Sequence, residues 1–108
     1  MMRGTVVWVD LSDASPPEMG KKRPAIIVSN SMQNQILDSV VAVPLSSREP
    51  EIPPLRIRVQ FDGLKHTSFA VIPGIRQIKK SRILEMAGRL KGQELALLEK
   101  AVFEYLSD

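Results

Sequence analysis

The sequence predicts a mainly β fold: a small, strongly bent antiparallel sheet or partly open barrel with one C-terminal helix packed against it. Short apolar or alternating segments, separated by proline, glycine and polar residues, fill the chain up to Leu90. An amphipathic segment then follows at Gly92–Leu106, in which Leu95, Leu98, Val102 and Leu106 recur at helical spacing. A chain of 108 residues is the size of one domain, so we expect residues 1–108 to form a single unit.

The strand-forming segments are β-branched, apolar or alternating in hydrophobicity. They are Thr5–Asp10, Arg23–Ser29, Ser39–Leu45, Leu55–Phe61, Thr67–Ile72 and Glu85–Leu90. Ala25–Val28 is an apolar run, which is typical of a strand covered on both faces. The only tryptophan, Trp8, is predicted to lie in the core.

The segments between these strands are predicted to be loops and turns. Leu11–Lys22 and Arg48–Pro54 are loops rich in proline and polar residues. Asn30–Asp38 is polar and predicts a turn with a short irregular piece, Asp62-Gly63 predicts a tight turn, and Ile78–Leu84 predicts a short helical turn.

Composition excludes several classes of protein. There is no cysteine and only one histidine, His66, so thiolate zinc sites, disulfides and a histidine-rich metal centre are excluded, and we expect no cofactor. No apolar run approaches the roughly 20 residues that span a bilayer, and the N-terminus has no signal-peptide pattern. These features predict a cytoplasmic protein without membrane contact.

Positive charge is concentrated in the middle of the chain. Residues 56–89 contain eight lysines and arginines against two acids, whereas residues 90–108 have a net charge of −2. This distribution indicates a surface that faces a polyanion, unless the cations only solvate a small barrel.

Two strand ends carry a candidate phosphate site. Pro24 holds Arg23 in an extended conformation at the start of the second strand. The third strand ends in Ser46, Ser47 and Arg48. An arginine and a hydroxyl at the ends of neighbouring strands can bind a phosphate together. A surface ion pair for Arg23 and a turn hydroxyl for Ser46 are the alternatives.

Several motifs occur in an order and spacing that resemble one family. They are Gly4–Asp10 with its tryptophan and acid, Glu18-Met19-Gly20-Lys21-Lys22-Arg23-Pro24, Asn34, Val43-Pro44-Leu45-Ser46-Ser47, Gly63-Leu64 with Ser68, and Ile75-Arg76 with Arg82. On these residues nearly the whole chain resembles the MazF/PemK toxins, sequence-specific endoribonucleases of type II toxin–antitoxin modules.

The resemblance implies the SH3-like, partly open barrel that this family shares with the CcdB gyrase poisons. It implies cleavage of single-stranded mRNA by the RNA's own 2′-OH without a metal ion, and neutralisation by a cognate acidic antitoxin, with DNA contacted only through that antitoxin. Because a small open barrel leaves sheet edges to cover, we also expect a homodimer.

The resemblance also assigns site residues. Arg23 takes the role of the catalytic arginine, and Ser46 stands in place of a catalytic threonine that hydrogen-bonds the phosphate. Glu18 is the candidate for proton transfer. The predicted RNA-binding residues are Lys21, Lys22, Ser47, Arg48, Arg56, Arg58, Arg76 and Lys79.

The chain departs from the family pattern at two positions. Pro73-Gly74 stand where many relatives have an acidic residue and glutamine, and Pro17 stands where some have a polar residue. His66 matches no catalytic position of the family. Two alternatives therefore remain: a non-catalytic, protein-binding poison of the CcdB type, and a relative that binds RNA but has lost activity.

Overall fold

A computed structural model describes residues 1–17, 19–48, 50–61, 67–90 and 92–108. The strands within these ranges are β1 (Thr5–Asp10), β2 (Lys22–Ile27), β3 (Ser39–Ser46), β4 (Arg56–Val59), β5 (Ser68–Val71), β6 (Arg76–Lys79) and β7 (Ile83–Arg89). The helices are α1 (Ser31–Ile36) and α2 (Gly92–Leu106), and short 3-10 turns occupy Ile72–Gly74 and Lys80–Arg82. The predicted fold class, mainly β with a C-terminal helix, is confirmed.

The strands form one antiparallel sheet in the order β4-β5-β3-β2-β1-β7. The long strand β3 pairs with β2 along one edge. Its other edge is shared, because Ser39–Ala42 pair with β6 and Leu45–Ser46 pair with β5. The two ends of the order, β4 and β7, are not paired with each other. The sheet is therefore a strongly bent, partly open barrel that turns around β3.

The core fills the inside of this bend. Ala25, Ile26 and Ile27 are all fully buried, so β2 is covered on both faces as its apolar run predicts. Helix α2 closes one side by burying Leu98 and Ala101 against the main cluster. The apolar stripe predicted for α2 ends early, because Leu106 is 70% exposed.

The segment Asn30–Asp38 is more regular than predicted, because it contains helix α1. The Asn30 side chain caps the helix by accepting hydrogen bonds from the backbone N–H groups of Met32 at 2.9 Å and Gln33 at 3.2 Å. Asn34 is buried, and its amide donates to the carbonyl oxygens of Met1 and Ser29, both at 3.0 Å. A capping asparagine and a buried amide thus turn a polar stretch into an ordered element.

The helical turn predicted at Ile78–Leu84 is wrong for most of that segment. Only Lys80–Arg82 form a 3-10 turn, while Ile78 belongs to β6 and Ile83 begins β7. Ile78 is buried between exposed Gln77 and Lys79, a period-two alternation that pairs with β3. The period-two alternation of exposed and buried residues, and not the run of basic residues, corresponds to the observed strand. The turn predicted at Asp62-Gly63 lies outside the described residues.

Candidate functional site

An open cleft of about 1040 Å³ lies where the first loop meets the ends of β2 and β3. The register that pairs Ala25 with Pro44 brings the start of β2 beside the end of β3. The lining residues are Trp8, Pro16, Pro17, Met19, Gly20, Lys21, Lys22, Arg23, Pro24, Leu45, Ser46, Ser47, Arg48, Arg56, Ser68 and Val71. The cleft thus contains Arg23, Ser46 and five of the eight residues predicted to bind RNA.

Arg23 is held rigidly by two backbone carbonyls. Its Nε donates to the Gly20 carbonyl oxygen at 2.8 Å, and its Nη1 donates to the Leu45 carbonyl oxygen at 3.1 Å. Leu45 directly precedes Ser46, so the guanidinium lies beside the backbone that carries the Ser46 hydroxyl. Its Nη2 has no partner among the described residues and can donate to a ligand.

The site holds an excess of positive charge. Burial lowers the pKa of Arg23, and the nearby Arg48 guanidinium lowers it further by repulsion. Arginine nevertheless stays protonated in proteins. A bound anion would relieve both the lost hydration and the repulsion, so this cleft is suited to a phosphate or carboxylate.

Ser46 ends β3 and organises the loop after it. Its Oγ accepts a hydrogen bond from the backbone N–H of Arg48 at 3.2 Å. The Arg48 carbonyl oxygen in turn accepts from Nη1 of Arg56 at 3.3 Å, which ties this loop to β4. Because the Ser46 oxygen accepts this bond, its O–H remains available to donate to a ligand oxygen.

Three predicted RNA-binding residues lie outside the cleft. Arg58 is exposed, and its backbone N–H donates to Oε2 of Glu51 at 2.8 Å. Arg76 and Lys79 line a second depression of about 760 Å³, together with Lys80 and Arg82. There Asp13 of the first loop lies 3.1 Å from Nη2 of Arg82 and 3.9 Å from Nη2 of Arg76. The predicted basic surface is therefore divided into two depressions.

The candidate proton-transfer residue Glu18 lies outside the described residues, as does His66. The structure does explain the pair Pro73-Gly74. A Cβ on Gly74 would lie 2.8 Å from Cγ of Pro44 on β3 and 3.3 Å from Sδ of Met19 in the first loop. Gly74 therefore allows a close packing contact and provides no group for proton transfer.

Trp8 is the main cleft residue that sequence reasoning missed, since the core location predicted for it is wrong. Its side chain is 38% exposed, while its neighbours Val7 and Val9 are fully buried. Trp8 shares a strand face with Asp10 two residues later, and the polarity of Asp10 marks that face as solvent-facing. The alternation along this strand was therefore the signal in the sequence that Trp8 faces solvent.

Two further observations bear on ligands and membranes. Among the residues that the structure describes, no group of three or more His, Cys, Asp and Glu side chains is arranged to hold a metal ion. No helix in this part of the chain is long and apolar enough to cross a membrane.

The chain combines a bent, partly open barrel with a basic cleft centred on Arg23 at its strand ends. A family model described as "PemK-like, MazF-like toxin of type II toxin-antitoxin system" matches residues 2–106. The chain belongs to this family. It is also 31% identical, over 109 aligned residues, to Endoribonuclease MazF9 of Mycobacterium tuberculosis, covering 94% of this chain and 92% of that protein.

Solved structures show the same fold. A crystal structure of MazF from Deinococcus radiodurans matches with a TM-score of 0.85 and 21% identity, over 98% of this chain and 96% of that one. An endoribonuclease in complex with its cognate antitoxin from a mycobacterial species matches with a TM-score of 0.81 and 23% identity, over 98% and 94% of the two chains.

Proposed function

We propose that this protein is the toxin of a type II toxin–antitoxin module and a sequence-specific endoribonuclease that cleaves single-stranded mRNA without a metal ion. The observation that carries the proposal is the guanidinium of Arg23, fixed at 3.1 Å from the Leu45 carbonyl oxygen, next to Ser46 and within a cationic cleft. Similarity to an endoribonuclease over most of both chains supports the reaction class.

The reaction uses groups that RNA itself provides. The 2′-OH loses its proton, and its oxygen attacks the adjacent phosphorus while the bond from phosphorus to the 5′ oxygen breaks. The 5′ oxygen takes up a proton, so the products are a 2′,3′-cyclic phosphate and a 5′-OH. The protein has to stabilise the negative charge of the pentacoordinate phosphorane and move two protons.

The residues of the cleft fit these tasks. Arg23 donates to the phosphorane oxygens through Nη2, and Ser46 donates its O–H to the same phosphate. Glu18 is the candidate for proton transfer, and only the resemblance of its loop to the family motif supports this role. Lys21, Lys22, Ser47, Arg48 and Arg56 hold the RNA backbone in the cleft, while Arg58, Arg76 and Lys79 contact more distant phosphates.

The same positive surface suits an acidic, flexible antitoxin segment, which would occupy the cleft in place of RNA. We propose contact with DNA only through that antitoxin. Among the described residues, the outer edge of β7 is not paired with another strand, which supports a homodimer that covers it. Because the proposed substrate is mRNA, we also propose a cytoplasmic location.

The test is incubation of the purified protein with a long RNA in EDTA, followed by mapping and chemical analysis of the new ends. We expect cleavage at a limited set of sites, with 2′,3′-cyclic phosphate or 3′-phosphate on one side and 5′-OH on the other. Arg23→Ala should lower the rate about 100- to 1000-fold, as loss of one preorganised donor typically does.

The matched control is Arg89→Ala, which removes the same charge from the exposed end of β7 outside the cleft. It should cleave at the wild-type rate. A strict requirement for magnesium would overturn the mechanism, and full activity of Arg23→Ala would overturn the site. RNA binding without any cleavage would identify an inactive relative.

A further inference from the structure

The indole of Trp8 is exposed although four of the six residues of its strand are buried. Trp8 lies on β1 directly opposite Pro24, the residue after Arg23, and lines the same cleft as Arg23 and Ser46. On its other side it pairs with Glu85 of β7, and the register between the two strands shifts immediately after Trp8. Such β-bulges frequently redirect a side chain next to a functional site.

The charges around Trp8 are unequal on its two sides. Lys22 and Pro24 share a face of β2 with it, next to the cationic part of the cleft. Glu85 of β7 lies on the side of Trp8 away from β2, whereas Asp10 lies opposite Lys22 and beside Val9, which pairs with Arg23. Hydrogen bonds from the Ser12 side chain and backbone lower the pKa of Asp10, as do Lys22 and Arg82, so Asp10 is ionised at neutral pH.

A phosphate bound at Arg23 therefore has a flat apolar surface next to it and, beyond that surface, the carboxylate of Glu85 on β7. Carboxylates repel a second phosphate but not an uncharged base. Single-strand binding proteins combine cations for the backbone with aromatic rings on which bases stack. Strand pairing on both sides fixes the backbone of Trp8, which limits the positions that its ring can take.

We propose that Trp8 is a substrate-positioning residue on which a base next to the cleaved phosphate stacks. This inference rests on the proposed function and adds to it the residue that orients the RNA. Stacking on this ring would hold the neighbouring ribose still, so that its 2′-OH stays in line with the phosphate at Arg23.

The experiment uses the intrinsic fluorescence of the protein, because Trp8 is the only tryptophan in the chain. Two labelled probes of equal length, roughly ten nucleotides, are compared. One is a mixed-sequence 2′-O-methyl RNA, which has bases but cannot be cleaved, and the other is an abasic oligonucleotide with the same number of phosphates. Label anisotropy measures binding, and Trp8 emission is measured at saturation of each probe.

We expect both probes to bind but only the base-containing probe to quench Trp8. Trp8→Ala should weaken binding of the base-containing probe about 5- to 150-fold and leave the abasic probe within about two-fold. Trp8→Phe should restore most of the loss because it keeps a ring. If circular dichroism shows that Trp8→Ala is misfolded, base stacking is tested by the probe affinities of Trp8→Phe and by the fluorescence quenching of the wild-type protein.

The outcomes separate this inference from the proposed function. A protein that cleaves RNA but shows equal Trp8 quenching with both probes, or none with either, keeps the proposed function and overturns base stacking. Quenching by an acidic peptide but not by the base-containing probe would assign Trp8 to a protein partner and also overturn it. A protein that neither binds the probes nor cleaves RNA overturns both proposals.

Discussion

At the residue scale, the site depends on how Arg23 is anchored. A surface arginine moves among many rotamers, and fixing one costs conformational entropy. Here the carbonyl oxygens of Gly20 and Leu45 fix the guanidinium before a ligand binds. A lysine at this position would keep the charge but could not use the planar fork to hold two carbonyls and a phosphate together.

The first prediction at this scale concerns Arg23→Lys. We expect its cleavage rate to fall almost as far as that of Arg23→Ala, because geometry as well as charge is lost. Single-turnover cleavage rates at saturating protein measure the effect. A rate within about two-fold of wild type, far from the 100-fold loss typical of a missing preorganised donor, would show that charge alone is sufficient.

The second concerns the Ser46 hydroxyl. Ser46→Ala should reduce cleavage about 100-fold or more, since one donor to the phosphate is removed. Ser46→Thr is the matched control, because it keeps the hydroxyl and restricts χ1, and should retain activity close to wild type. Equal activity of the alanine and threonine variants would exclude a role for the hydroxyl.

At the scale of elements, helix α1 shows how a short polar segment becomes ordered. Six residues cannot form a stable helix alone. Helix α1 is held by the Asn30 cap and by Asn34, which also accepts a hydrogen bond from Oγ of Ser29 at 2.5 Å. The buried amide joins the helix to the end of β2 and to the N-terminus, so it stabilises three segments together.

The prediction for this element is that Asn34→Ala lowers the free energy of unfolding by about 1–3 kcal/mol, because it leaves two partly buried carbonyl groups without donors. Gln33→Ala, one residue away on the exposed side, should change stability by less than about 0.5 kcal/mol. Urea denaturation measures both. Equal effects would mean that the Asn34 hydrogen bonds do not stabilise the fold.

Elements with a clear period were predictable from sequence, and elements specified by tertiary contacts were not. Strand β1, the apolar run of β2 and helix α2 each carry a local pattern that agrees with their burial. Strand β6 has four residues, three of them polar or basic, and its conformation is determined by pairing with β3. Such pairing depends on residues far away in sequence, and the alternation around Ile78 is too short to indicate a strand by itself.

At the scale of the whole molecule, the net charge of +3 conceals two basic depressions with different character. In the cleft, Arg23 is paired with carbonyl groups and repelled by Arg48. In the second depression, Asp13 partly neutralises Arg82 and Arg76. The sequence predicted one continuous basic surface, because lysines and arginines that are close in sequence cannot be assigned to separate depressions without the fold.

The prediction for the whole molecule compares charge reversals in the two depressions. Lys21→Glu with Lys22→Glu should weaken RNA binding more than Lys79→Glu with Lys80→Glu, and should reduce the slope of log affinity against log salt by roughly 0.7 per lost phosphate contact. Lys100→Glu on exposed α2 is the control, and it should change neither the RNA affinity nor its dependence on salt. Equal losses for the two pairs would mean that RNA crosses both depressions equally.

Burial of Arg23 and its repulsion by Arg48 disfavour the empty cleft relative to a cleft that holds an anion. Any anionic occupant removes that repulsion, and a ligand that binds only the folded state raises its stability. Cellular proteases act on the small unfolded fraction, so occupancy also extends the lifetime of the polypeptide. We therefore expect a molecule with an occupied cleft to survive longer than one that has nothing bound.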